Sequence, residues 1–130
     1  MGNSIIKVAE LVKKYDNFTA VKGISFEVQQ GEIFGLLGPN GAGKTTTLEI
    51  IETLRPKTSG KVWVDQMDLD KQAQDIKKII GVQLQAAGFY PNLNLKEIIE
   101  LFGGLYNATI DPLALLQSVQ LEDKAKSKFK

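Results

Sequence analysis

The ten residues "GPNGAGKTTT" (38–47) directly follow the apolar run "GEIFGLLG" (31–38) and precede "LEIIETL" (48–54). They hold three glycines, one lysine and three threonines, with no bulky apolar side chain, so the segment is not built for a core. Glycines allow positive φ and close backbone approach to another group. The stretch fits G-x-x-x-x-G-K-[ST], with Gly38, Gly43, Lys44 and Thr45 in the fixed places. Each fixed residue has a physical task. Backbone N–H groups of the loop cradle phosphate oxygens, which large side chains would prevent. The helix that follows presents its positive N-terminus to the same anion. Lys44 reaches the β- and γ-phosphates, and the Thr45 hydroxyl ligates Mg²⁺. Residues 38–46 (Gly38, Pro39, Asn40, Gly41, Ala42, Gly43, Lys44, Thr45 and Thr46) are therefore expected to bind a nucleoside triphosphate.

Composition narrows what surrounds this loop. With 43% hydrophobic and 24% charged residues in 130, the chain is one ordinary globular domain or part of one. Sixteen basic residues against fifteen acidic give a net charge of +1, which supports no nucleic-acid partner. The absence of cysteine excludes disulfides and thiolate metal sites. The absence of histidine removes the commonest general base and transition-metal ligand. No leader-like apolar segment opens "MGNSIIKVAE", and no run reaches the length of a membrane span.

The order of elements predicts an α/β fold. Strands are expected at 4–11 and 24–29, joined by the polar stretch "VKKYDNFTAVKG". A buried strand is expected at 31–38, a helix at 43–54, a strand at 61–65, a weak helix at 70–78 and a strand at 79–85. A further helix follows at 93–106, and then another in which Asp111 is the N-cap and Pro112 the first residue. Asp65, which closes "VWVD", is set aside as a metal ligand because Gln66 follows it.

Taken with its flanks, the loop resembles the ATP-binding cassette (ABC) family, the nucleotide-binding domains of ABC transporters. The resemblance runs from about Val8 to the last residue through "LVKKYDNFTAVKGISFEVQQGEIFGLLGPNGAGKTTTLEII", "TSGKVWVD" and "IGVQLQAAGFYPNLNLKEIIELFGGLY". It implies a P-loop NTPase core with an antiparallel β arm (about 1–87) and the start of a helical subdomain (about 88–130), within which the chain ends. Tyr15 stands where the family stacks an aromatic on adenine, with Phe18 the competing ring nearby. "IGVQLQAAGFYPNL" resembles the family's Q-loop. Of Gln83 and Gln85, the latter has the expected spacing and is assigned to the Mg²⁺ shell and to orienting the attacking water. Leu84 departs from the commoner proline there.

Further implications are ATP and Mg²⁺ as cofactors, a transmembrane permease subunit, and a second ATPase subunit in a head-to-tail dimer. The expected location is the cytoplasmic face of a membrane, reached through the permease. "GFYPNLNLKEIIELFGGLY" looks most like the exporter-type branch. A soluble ABC protein of translation or DNA repair is the alternative, as is an unrelated P-loop kinase or GTPase; no Asn-Lys-x-Asp segment supports a GTPase. The family's signature, its Walker B aspartate with the catalytic glutamate, and its switch histidine have no counterpart in these residues. In the family the Walker B strand lies between the segments at 31–38 and 79–85. Those segments are therefore expected to be strands with unpaired edges that favour self-association.

Overall fold

In the computed structural model, which describes residues 3–84, 88 and 90–128, the chain forms two compact units divided between Val82 and Gln83. The first is built on a long hairpin. Strand β1 (Ser4–Tyr15) and strand β2 (Phe18–Gln29) pair antiparallel and are joined only by Asp16 and Asn17. Asp16 takes φ +34, which a tight two-residue turn requires and which Asp tolerates. The polar stretch expected to connect two short strands is thus itself paired backbone. This correction matters for function, because it carries Tyr15 and Phe18 to the hairpin tip.

Strand β3 (Ser59–Val64) pairs with the other edge of β1, and the short β4 (Met67–Asp68) completes the order β2-β1-β3-β4. Every pairing is antiparallel. Ile6 lies opposite Val64 and Val8 opposite Val62, so the two-residue period puts these four on one face. On the other face Lys7 meets Trp63 and Glu27, with a Lys7–Glu27 ion pair of 3.3 Å. Leu11 is three residues from Val8, an odd step that simple alternation would turn outward. An irregularity between them, with Glu10 at φ +49, resets the phase, and both side chains are buried. Helix α1 (Lys44–Ile51) adds Ile50 and Ile51, and helix α2 (Leu69–Ile79) adds Leu69 and Ile76, to the core formed with Val8, Leu11, Val21, Val62 and Val64.

Among the described residues, the strands expected at 31–38 and 79–85 are not formed. Residues 33–39 and 80–84 have no regular structure, and Ile79 belongs to α2. A strand needs a neighbouring ladder for its N–H and C=O groups. No described strand runs beside residues 31–38: Ile33 and Leu37 are 100% and 92% exposed, while Phe34 stacks 5.1 Å from Phe26. The expected pair of open-edged strands is therefore replaced by irregular backbone. The antiparallel arm is the sheet.

An ion cluster staples α2 to the loop before β3. Asp70, in the first turn of α2, pairs with Lys57 at 2.8 Å and Lys61 at 3.2 Å. The hydrogen bond from Lys57, with help from Lys61, holds the Asp70 carboxyl below its ordinary 3.8. Asp70→Asn should therefore cost about 0.5–1 kcal/mol near neutral pH, the usual scale for a partly exposed pair. In acid the unfolded carboxyl takes up its proton first, near 3.8, so the advantage of the native aspartate is present above that value. It disappears as pH falls through the lower folded-state value. Urea unfolding of both proteins over a series of pH values downward from about 7 checks this; a gap that does not narrow as pH falls below 3.8 would contradict it.

The second unit is helical. Asn94 and Glu97 form a reciprocal capping box, with bonds of 3.0 and 2.8 Å, at the start of α3 (Leu95–Leu105). Asp111 caps α4 (Pro112–Ser118) through the N–H groups of Leu113 and Ala114, as its spacing before Pro112 predicts. The C-terminal segment returns to α3, where the N–H groups of Leu95 and Lys96 reach the carbonyls of Ser127 and Ala125.

Candidate functional site

The phosphate-loop sequence folds as a turn that feeds a helix. Ala42 N–H bonds to the Pro39 carbonyl at 3.2 Å, and Gly43 then caps α1 at φ +88 without a side-chain acceptor. Any side chain at position 43 would be strained at that φ. Its Cβ would also stand 2.3 Å from the Ala20 carbonyl of β2. Glycine here lets the helix start against the sheet. Thr47 secures the first turn: it is buried, and its hydroxyl donates to the Gly43 carbonyl at 2.8 Å. No acidic side chain stands in that turn, so the first N–H groups of α1 and its positive end are left for an outside anion.

Lys44 folds back over the loop. Its ammonium donates to the carbonyls of Gly38 and Pro39, the latter at 2.8 Å. These bonds park the charge on the loop where phosphate would sit, and a triphosphate would exchange them for stronger, charge-assisted ones.

A cleft of about 250 Å³ opens beside the loop, lined by Tyr15, Phe18, Ala20, Asn40, Gly41, Ala42, Gly43, Lys44, Thr45 and Thr46. Residues 15 and 40–46 thus meet in one place, brought together because the hairpin tip lies against the loop. Gly38 and Pro39 stand just outside this lining and contribute the carbonyls that hold Lys44. Both aromatic rings considered for the base are present, Tyr15 at 37% exposure and Phe18 at 58%. Mg²⁺ fits this site only as a companion of phosphate: Thr45 offers a hydroxyl, and no group of three or more acidic side chains able to hold a metal occurs among the described residues. Gln83 is exposed and in irregular backbone, and Gln85 lies outside the described residues.

Sequence reasoning missed two residues at Tyr15. Arg55 donates from Nη1 to the Tyr15 hydroxyl at 2.7 Å and from Nε to Glu49 Oε2 at 2.5 Å. Lys13 places its ammonium 5.0 Å from the Tyr15 ring centroid. The bond to Glu49 raises the pKa of Arg55 further, keeping it a fixed cation. The Glu52 carboxyl is pushed up by burial and then by the charge of Glu49. No motif carries Arg55, which sits forty residues from Tyr15.

The sequence model of the ABC transporter family matches residues 21–130. Among curated proteins, the linearmycin resistance ATP-binding protein LnrL of Bacillus subtilis is 40% identical over 127 residues, covering 93% of this chain and 41% of that one. The probable multidrug ABC transporter ATP-binding protein YbhF of Escherichia coli is 40% identical over 105 residues, covering 81% of this chain and 18% of that one. The chain therefore spans less than half the length of these relatives. Among solved structures, the ATP binding subunit of an ABC transporter superposes with a TM-score of 0.82 at 24% identity, over 96% of this chain and 54% of that one. The ATP-binding cassette MJ0796, in a dimeric post-hydrolysis state bound to ADP and Pi, gives 0.76 at 26% identity, over 95% and 61%. With the phosphate loop, the antiparallel arm and a family match over most of its length, this chain belongs to the ABC transporter family.

Proposed function

We propose that the chain is the nucleotide-binding part of an exporter-type ABC ATPase, which couples ATP binding and hydrolysis to transport through a separate membrane subunit. The observation that carries this reading is the cleft joining Tyr15 to residues 40–46, an aromatic face at one end and uncapped helix N–H groups at the other. A shared lining of this kind suits a purine nucleotide, with the ring accepting the base by stacking and the loop gripping phosphates. Stacking reads no base edges, so ATP is preferred over GTP only modestly. Lys44 supplies charge to the β- and γ-phosphates; Thr45 and Gln85 would hold Mg²⁺, which would neutralise phosphate charge, and Gln85 would orient the attacking water. No described helix is long and apolar enough to cross a membrane. Attachment through a permease, and pairing with a second ATPase subunit, are part of the proposal. The linearmycin resistance in the name of LnrL and the multidrug transport in that of YbhF support the exporter branch.

The test separates base from phosphate. Mg·ATP, Mg·GTP and Mg·tripolyphosphate are titrated into the wild type and Tyr15→Ala. Loss of one base-stacking contact should weaken ATP about five- to fiftyfold and leave tripolyphosphate nearly unchanged. Equal weakening of both ligands would remove Tyr15 from the base site.

A further inference from the structure

Arg55 closes a chain of polar contacts from the hairpin tip to α1. Its guanidinium donates at once to the Tyr15 hydroxyl and to Glu49, and its central carbon stands 5.7 Å from the Tyr15 ring centroid. The Arg55 backbone is fixed as well. The N–H groups of Leu54 and Arg55 both reach the Glu49 carbonyl, at 2.8 and 3.1 Å. Glu49 lies on the helix that begins at Lys44. Tyr15 is exposed beside a two-residue turn, and apart from Arg55 the Lys13 ammonium, 5.0 Å from the ring centroid, stands against it without bonding its hydroxyl. A half-exposed ring in such a place samples several rotamers unless a neighbour restrains it.

We infer that Arg55 is a positioning residue for the base platform, fixing the Tyr15 ring relative to the phosphate loop through α1. The inference rests on the reading of Tyr15 as the surface that receives the base. One rigid element then governs both ends of the ligand: the N-terminus of α1 faces the phosphates, and Glu49 with Arg55 holds the ring. Arginine suits the task because its planar fork donates in two directions, whereas a lysine ammonium is a point charge on a flexible stem. A plain surface ion pair between Arg55 and Glu49, both partly exposed, would contribute little and nothing specific to a base.

The experiment titrates Mg·ATP and Mg·tripolyphosphate into the wild type, Arg55→Ala, Arg55→Lys, Tyr15→Phe and the double variant Tyr15→Phe/Arg55→Ala. Arg55→Ala should weaken ATP about three- to tenfold and tripolyphosphate by less than about twofold. Tyr15→Phe keeps the ring but removes the acceptor, so it should fall by a similar factor. The double variant should fall no further, because both changes break the same contact. Arg55→Lys should recover part of the loss. Equal weakening of both ligands in Arg55→Ala, or additive losses in the double variant, would overturn the inference. A wild type that binds ATP no tighter than tripolyphosphate fails differently: it removes the base role of Tyr15, and the role of Arg55 with it. Should Arg55→Ala lose its circular dichroism, Tyr15→Phe decides, and unchanged ATP affinity there overturns the inference.

Discussion

Lys44→Ala is expected to weaken Mg·ATP by at least about thirtyfold while the fold stays intact. The size follows from the interactions lost: a lysine ammonium on two phosphate groups makes charge-assisted hydrogen bonds, each worth roughly 1.5–3 kcal/mol when one partner is removed. The fold is spared because the polar contacts of Lys44 are with the carbonyls of Gly38 and Pro39, both on exposed residues. Water can replace the ammonium there. No buried apolar contact of the core group is Lys44's to lose. Calorimetric titration gives the affinity and circular dichroism the thermal midpoint, which should move by no more than about 2–3 °C. A folded Lys44→Ala protein that binds ATP like the wild type would end the phosphate-loop reading. Lys44→Arg, which keeps the charge but not the shape, should recover only a fraction, since the ammonium's compact reach is what the narrow loop accommodates.

The second large effect concerns turnover. These 130 residues are expected to bind nucleotide and to hydrolyse it at least about a hundredfold more slowly than a chain that also carries the family's signature and Walker B segments. Binding and hydrolysis use different groups. Gripping phosphates needs the loop, the helix terminus and Lys44, all of which this sequence has. Hydrolysis also needs a water aligned and activated by a general base, a contribution of about 10²–10⁴. In the resemblance, that base is a glutamate after Walker B, and the γ-phosphate is capped by a second subunit. No histidine is present to substitute for it. Steady-state phosphate release from the two proteins at equal nucleotide occupancy measures the ratio. Equal rates would show that a group within residues 1–130 activates the water, and would move the catalytic assignment away from the signature and Walker B segments.

How much of this was legible without coordinates depended on the range of the interactions concerned. The phosphate loop is legible because its geometry comes from eight contiguous residues: glycines for positive φ, then a helix start with no acidic side chain. The cap at Asp111 is legible for the same reason, since it bonds N–H groups two and three residues away. The ABC resemblance follows from the same contiguous strings. Strand pairing is different. "GEIFGLLG" has the composition of a buried strand, yet Ile33 and Leu37 are exposed because no described strand supplies the ladder beside it. The polar "VKKYDNFTAVKG" has a weak strand composition, yet it pairs, because β1 finds β2 on one side and β3 on the other.

From the sequence alone came a G-x-x-x-x-G-K-T loop expected to bind phosphate and, through the family resemblance, an aromatic expected at position 15. Tertiary structure decided where that aromatic stands. A bulge near Glu10 reset the inward face of β1, a two-residue turn placed Tyr15 at the hairpin tip, and Arg55 crossed forty residues to bind its hydroxyl. Each of these depends on contacts between segments far apart in the chain, whose closure is favourable only once the whole sheet and α1 have packed, so no local pattern encodes them.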